Sequence, residues 1–173
     1  MRVIGLAGWS GAGKTTLLAK VIPLLVQRGL AVSTIKHAHH GFDLDQPGKD
    51  SYTHRQAGAT EVLIGSQRRW ALMHELRGAP EPTLPDLLAR LSAVDLVIVE
   101  GYKRHAHPKL EVYRQEVGKE LMFPKDPDIV AIAADTAITA PIPVLALGDA
   151  PAIADLLAAR AVPIDALLVQ GIP

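Results

Sequence analysis

The stretch Gly8-Trp9-Ser10-Gly11-Ala12-Gly13-Lys14-Thr15 fills every fixed position of the pattern G-x-x-x-x-G-K-[ST]. Its flanks restrict what the chain can fold into more than any other feature does. The apolar run Val3-Ile4-Gly5-Leu6-Ala7 before it reads as a buried strand, and the leucine-rich segment Leu17 to Val26 behind it reads as a helix. Strand, glycine-rich turn and helix in that order predict an α/β fold opened by a phosphate loop. Glycines at 8, 11 and 13 let the backbone take positive φ and approach a ligand closely, so that successive N–H groups converge on phosphate oxygens. The helix starts near Lys14, where unpaired N–H groups and the positive dipole end favour an anion. Gly11, Ala12, Gly13, Lys14, Thr15 and Thr16 are the candidate cradle. Lys14 is expected to reach the β- and γ-phosphates, and the Thr15 hydroxyl to sit on Mg²⁺. Glycines alone would leave a plain strand–helix turn open; with Lys-Thr and these flanks the ligand is a nucleoside phosphate.

A chain of 173 residues, 49% of them hydrophobic, suits one domain with a sizeable core. Residues 1–173 read as a single nucleotide-binding domain. Lys and Arg number 18 against 18 Asp and Glu, so no global field draws the protein to nucleic acid or to an anionic membrane. The absence of cysteine removes disulfides, thiolate metal sites and a cysteine nucleophile together. The apolar stretch before the phosphate loop is too short for a signal peptide, and no run approaches the ~18 apolar residues of a membrane span. A cytoplasmic location is expected.

Leu17, Leu18, Val21, Leu24 and Leu25 recur at helical spacing, which predicts a first helix over Lys14 to Arg28 stopped by Gly29. Pro23 predicts a kink or local bend in it rather than two helices. Ala31 to Ile35 is the second strand. From Lys36 to Asp50 periodicity stops, and connections this long are usually functional or disordered. Ser51 to Ala57 reads as a short helix capped by Asp50 or Ser51 and stopped by Gly58. Glu61–Ile64 and Trp70–Met73 read as a hairpin around the polar turn Ser66 to Arg69. After a proline-rich connector, Leu84, Leu87, Leu88 and Leu91 form one helical face. Val94 to Val99 is continuous and β-branched, as in a strand buried on both faces of a parallel sheet. Leu110–Tyr113, Ile129–Ile132 and Pro143–Leu147 follow as strands, and Asp149 caps a last helix to about Arg160. The whole predicts a P-loop α/β fold: a mostly parallel sheet flanked by helices, with a hairpin extension and the ligand at the carboxyl ends of the strands.

Four further groups carry chemistry. Glu100 ends the buried strand, beside the phosphate loop in this fold class, where a carboxylate can hold Mg²⁺ or orient the attacking water. Its plain alternative is a strand-end residue that meets solvent or pairs with Lys103. Asp95, at the other end of that strand, is expected to be structural. Asp135 closes Ile132-Ala133-Ala134-Asp135, where GTP-binding proteins carry Asn-Lys-x-Asp. Its carboxylate can accept from guanine N1–H and N2–H₂, a donor pair adenine lacks. His37, His39, His40, Asp43 and Asp45 invite a metal-cage reading, a switch-loop or partner-facing reading, or plain solvation. Within the switch reading Asp45 is the chosen water-mediated metal contact, with Asp43 and Asp50 as rivals. Lys103, Arg104, His105, His107 and Lys109 form a local basic cluster that meets an anionic ligand or simply solvent.

At Thr34-Ile35-Lys36-His37, His39 to Ser51, Arg55 and Ala57-Gly58-Ala59 the chain resembles the MobB family, the molybdopterin-guanine dinucleotide biosynthesis adapter proteins. Val99-Glu100-Gly101-Tyr102-Lys103 and Pro108 to Arg114 resemble the family's next two blocks. The resemblance implies a GTP-binding protein of low intrinsic GTPase activity that works as a homodimer. It also implies assistance to the guanylyltransferase that attaches GMP to molybdopterin, and contact with other cofactor-maturation proteins. Ala133-Ala134 in place of Asn-Lys departs from the guanine pattern and implies modest selectivity. Nickel-inserting GTPases share the strand-end Glu but depend on Cys/His motifs, so the alternative of a nucleotide-dependent metallochaperone lacks its cysteine. A small-molecule kinase would need an arginine-rich lid between the late strands, which is missing. A binding module that never hydrolyses nucleotide differs little from a slow GTPase, because Glu100 is the one evident catalytic candidate.

Overall fold

The computed structural model describes residues 1–38, 41–103 and 105–168. In chain order the elements are β1 (Arg2–Ala7), α1 (Lys14–Gln27), β2 (Val32–Lys36), α2 (Asp50–Gln56), β3 (Glu61–Gly65), β4 (Trp70–His74), α3 (Leu84–Leu88), β5 (Leu96–Glu100), β6 (Lys109–Tyr113), β7 (Ile129–Ala134), β8 (Val144–Ala146), α4 (Ala150–Arg160), β9 (Val162–Pro163) and α5 (Asp165–Leu168). A 3-10 turn occupies Gln115–Val117. By their contacts these residues form two compact units, Met1–His37 with the chain from Leu84 onward, and Ala38–Thr83.

The first unit is built on a sheet of order β2-β5-β1-β6-β7-β8. Along this order neighbouring strands run parallel. The period of two in a strand sends alternate side chains to opposite faces, and both faces here are covered. Ile4, Leu6, Leu96, Ile98, Leu110 and Val112 pack with residues of α1 and α4. Val3, Val97 and Val99 pack with Leu84, Leu88 and Leu167. That double burial is why β1 and β5 read as unbroken apolar runs.

Pro23 sits inside α1, which remains one helix. A proline there removes the N–H that the Ala19 carbonyl would accept, a cost of about 3 kcal/mol. Burial of Leu17, Leu18, Val21 and Leu25 on one face offsets it. Gly29 ends the helix at φ 83°, a left-handed angle that glycine takes without strain. Asp149 caps α4 by accepting from the Ala152 N–H at 3.1 Å, worth about 1 kcal/mol. At the start of β5, the Asp95 carboxylate accepts from the Ala31 N–H at 2.8 Å, which ties β5 to the entry of β2. The short antiparallel strand β9, which lies beside the start of β1, and helix α5 escape a sequence reading. Two to four residues cannot establish a period. No helix among the described residues is long and apolar enough to cross a membrane.

In the second unit β3 and β4 form the expected antiparallel hairpin, with Leu63 opposite Leu72 and Gly65 opposite Trp70. The Ser66 hydroxyl holds the turn, accepting from the Arg68 and Arg69 N–H groups and donating to the Arg69 carbonyl. Helix α2 has Lys49, not Asp50 or Ser51, at its cap position, and no side chain caps it. The Ser51 hydroxyl donates instead to Asp45 at 2.8 Å. Phe42, Leu44, Leu63, Trp70 and Leu72 are all exposed.

Candidate functional site

The phosphate loop leaves β1 at the centre of the sheet, flanked by β5 on one side and β6 on the other. Gly8, Gly11 and Gly13 take φ of 141°, 83° and 90°. A Cβ on Gly8 would meet the Val112 carbonyl oxygen at 2.5 Å, so glycine is required there by space as well as by angle. Gly13 caps α1 in the left-handed region, and the Ala12 N–H donates to the Trp9 carbonyl. Lys14 curls back over this loop, its ammonium donating to the carbonyls of Gly8 at 2.9 Å and Trp9 at 3.0 Å. Burial lowers its pKa below the ordinary lysine value; Glu100 opposes the shift, while Lys103 and Lys36 add to it.

Thr15 Oγ1 donates to Glu100, 3.1 Å from Oε1 and 3.4 Å from Oε2. Lys36 Nζ is 4.0 Å from the same carboxylate. The parallel register puts Leu6 beside Glu100 and Glu100 beside Lys36, which is why residues so distant in the chain converge. Glu100 is thus joined to the phosphate loop through Thr15 and is not paired with solvent or Lys103 alone. Hydroxyl and carboxylate oxygens are the hard donors that Mg²⁺ takes, so this pair fits that ion.

On the β6 side stand two residues that the sequence alone does not single out for a role. Arg114, just past β6, brings its Nε to 3.1 Å from where a Gly13 Cβ would lie. Gly13, Thr16, Leu17, Lys20, Arg114 and Leu147 line a recess of about 20 Å³. Trp9 donates from its indole to the Glu120 carbonyl, and the Lys103 ammonium stands 5.0 Å over its ring. Arg114 follows a strand whose place next to β1 only the structure shows, so no sequence signal singles it out.

Asp135 lies at the end of β7, and its Oδ1 accepts from the Gln115 N–H at 3.0 Å. It anchors the 3-10 turn that follows Arg114. The basic cluster divides. Lys109 is buried and ion-paired, at 3.2 Å from Asp126 and 3.3 Å from Asp128. His107 is buried as well, while Lys103 borders the loop through Trp9; Arg104 lies outside the described residues. Beside Lys109, the buried Glu111 accepts from the N–H groups of Met122 at 2.7 Å and Phe123 at 2.9 Å. Burial pushes its pKa up, and those two bonds pull against the shift.

Of the histidine loop, His39 and His40 lie outside the described residues. Asp43 and Asp45 belong to the second unit, where Arg55 collects both. Its Nη2 is 2.8 Å from Asp43 Oδ2, its Nε 3.3 Å from Asp45 Oδ2 and its Nη1 2.8 Å from Glu75 Oε1. The Asp45 oxygens, expected to meet a metal through water, also accept from Arg55 and Ser51. Among the described residues no group of three or more His, Asp or Glu is arranged to hold a metal ion. His37 packs on Tyr102 with ring centroids 4.8 Å apart.

A parallel sheet with a glycine-rich loop between its central strand and a helix, and an acidic residue ending the adjacent strand, defines a P-loop α/β protein. A family model described as Molybdopterin guanine dinucleotide synthesis protein B (MobB) matches residues 3–135. The chain belongs to the MobB family. It is 41% identical to the molybdopterin-guanine dinucleotide biosynthesis adapter protein of Escherichia coli strain K12 over 90% of both chains. Against the protein of the same description from Haemophilus influenzae it is 40% identical, over 90% of this chain and 86% of the relative. The crystal structure of a MobB protein homolog from Bacillus stearothermophilus superposes with a TM-score of 0.64 at 27% identity. That match covers 91% of this chain and 99% of the other.

Proposed function

We propose that this protein is a Mg²⁺-dependent GTP-binding adapter that assists the guanylylation of molybdopterin, with slow GTP hydrolysis of its own. The observation that carries the nucleotide reading is the Thr15–Glu100 contact at 3.1 Å beside the Lys14-covered phosphate loop. Gly11, Ala12, Gly13, Lys14, Thr15 and Thr16 hold the phosphates. Thr15 and Glu100 hold Mg²⁺, which supplies charge neutralisation at the β- and γ-oxygens when bound. Glu100 also orients the attacking water, and as the one catalytic group assigned it suits slow turnover. Asp135 reads the guanine edge, with modest selectivity because Ala133 and Ala134 replace Asn and Lys.

The adapter part is supported by family membership and by what the Escherichia coli and Haemophilus influenzae relatives are called. The partner is the molybdenum cofactor guanylyltransferase, together with other proteins of cofactor maturation, in the cytoplasm. Self-association into a homodimer is supported by the second unit, which we treat as a part of the same functional domain. Its two strands pair only with each other among the described residues, while Leu63, Trp70 and Leu72 on one face are exposed. A lone two-stranded hairpin is marginal in water, and a second copy of the same hairpin covers this face and offers an edge to pair with.

Lys14→Ala tests the core of the reading. It is expected to remove nearly all GTP affinity in a calorimetric titration while the circular dichroism spectrum stays unchanged. Wild-type affinity in that variant ends the nucleotide proposal. Sedimentation tests the dimer: wild type as a monomer at micromolar concentration would refute it, and Trp70→Glu is expected to shift a dimer to monomer.

A further inference from the structure

We propose that Arg114 is a nucleotide-binding side chain that grips the α-phosphate, between the phosphate loop and the base. The inference rests on the nucleotide reading above and adds a residue to it.

The sheet order supplies the direction. Glu100, the candidate Mg²⁺ and γ-phosphate end, follows β5 on one side of β1. Arg114 follows β6 on the opposite side, and Asp135 follows β7 one strand further out. A nucleotide whose terminal phosphate meets Lys14 and Thr15 therefore runs from β1 across the end of β6 towards β7. The group that passes Arg114 is the innermost phosphate with its ribose.

Local contacts agree. The guanidinium lies against Gly13, and a Cβ at that position would come within 3.1 Å of Nε and 3.4 Å of Nη2. Glycine at 13 thus provides the room for an arginine to reach the first turn of α1, besides taking φ 90°. The recess bounded by Gly13, Thr16, Lys20 and Arg114 has about 20 Å³, the space of a single water or of one phosphate oxygen. Two cationic side chains border it, at the end of a helix whose dipole is also positive. An anion in the recess would relieve the repulsion between them. The counter-charge beside Arg114 is Glu116, 3.5 Å away and itself 73% exposed, a pair that water screens. A planar guanidinium matches two phosphate oxygens at once, which a lysine ammonium cannot do.

The test measures GTP, GDP and GMP by competition against a fluorescent guanine nucleotide, in wild type, Arg114→Ala, Arg114→Lys and Glu116→Gln. All three ligands carry the α-phosphate. Arg114→Ala is expected to weaken each by a similar factor, on the order of 10-fold or more for a lost charge-assisted bond. Arg114→Lys recovers part of the loss. Glu116→Gln leaves the affinities unchanged or tightens them. Loss confined to GTP would move Arg114 to the γ-phosphate and overturn the assignment. Unchanged affinity for all three in Arg114→Ala, with wild type binding normally, would leave only the Glu116 pair and sink this inference alone. Failure of wild type to bind any of the three removes the nucleotide reading, and this one with it. Thermal melting of each variant without ligand checks the fold, and binding is compared only among variants that melt as wild type does.

Discussion

Thr15 Oγ1 lies 3.1 Å from Glu100 Oε1, joining the end of the phosphate loop to the end of β5 across 85 residues of chain. The contact follows from the parallel register of β1 and β5, in which Leu6 pairs with Glu100. A hydroxyl and a carboxylate this close together, with the Glu100 charge felt by Lys14, form an oxygen-rich corner suited to a hard cation. Glu100→Gln keeps an acceptor for Thr15 but removes the charge. We expect it to lower GTP turnover on the order of a hundredfold while changing GTP affinity little. Single-turnover hydrolysis with radiolabelled GTP is the measurement, and unchanged turnover would return Glu100 to a purely structural contact.

Asp135 has a double duty that constrains its variants. Its Oδ1 accepts from the Gln115 N–H at 3.0 Å, so truncation to alanine would also release the turn next to Arg114. Asn keeps that acceptor and changes only the character of the other atom, which becomes a donor. Asp135→Asn is therefore expected to lose GTP affinity and gain XTP affinity, with the melting temperature held. A GTP/XTP ratio that does not move would place base recognition elsewhere.

How far these features can be read from sequence depends on their range. The loop from Gly8 to Thr15, the helix stop at Gly29, the cap at Asp149 and the hairpin around Ser66 are local, and local chemistry dictates them. Glu100 is legible at one remove, because a buried β-branched strand in this fold class has a known place beside the loop. Arg114 and Trp9 are not, since their roles depend on which strand lies next to β1 and on contacts with Gly13 and Glu120. Periodicity carries no information of that kind. Asp45 shows the opposite case. Its loop, dense in His and Asp, suggests a metal contact through water, and nothing local in the sequence shows that Arg55, ten residues later, also engages its carboxylate.

Arg55 holds the second unit together by bringing the charges of Asp43, Asp45 and Glu75 onto one guanidinium. Its hydrogen bonds to Glu75 and Asp43 raise its own pKa further above the arginine range. The Asp45 N–H, and then Arg55, hold the Asp43 carboxyl below its ordinary value. A carboxyl depressed by folding contributes stability above its unfolded pKa and loses it as pH falls through the folded value. The segment 41–50 should accordingly become protease-sensitive in acid, below the ordinary Asp value of about 4. Arg55→Ala is expected to produce the same sensitivity at neutral pH. Limited proteolysis with mass mapping of the cut sites is the check; an Arg55→Ala variant cut no faster than wild type would show that the network does not hold the loop.

His107 makes the sharpest pH prediction. Its ring is 2% exposed, and its Nδ1–H donates to the His105 carbonyl at 2.8 Å. The other nitrogen, Nε2, has no hydrogen-bond partner among the described residues, and a Cβ on Gly5 would collide with it. That pairing explains both residues: Gly5 leaves the space in β1 that the imidazole fills. A proton on Nε2 would have nowhere to donate. Burial, and secondarily the Lys109 charge, bring the His107 pKa down from 6.5 to about 4. The sign follows from linkage. The unfolded chain takes up a proton near pH 6.5 and the folded chain near pH 4, so between them unfolding binds protons and stability falls as pH falls. The full effect amounts to about 3 kcal/mol, at about 1.4 kcal/mol for each tenfold change in proton affinity. Urea denaturation at pH 7.5, 6, 5 and 4.5 is expected to show most of that loss in wild type. His107→Phe keeps a ring of similar size and cannot titrate, so its stability should stay nearly level between pH 6.5 and 5, even if the variant is weaker at pH 7.5. Equal pH slopes in the two proteins would assign the acid sensitivity to the carboxylates, the Asp43 group among them, and not to this histidine.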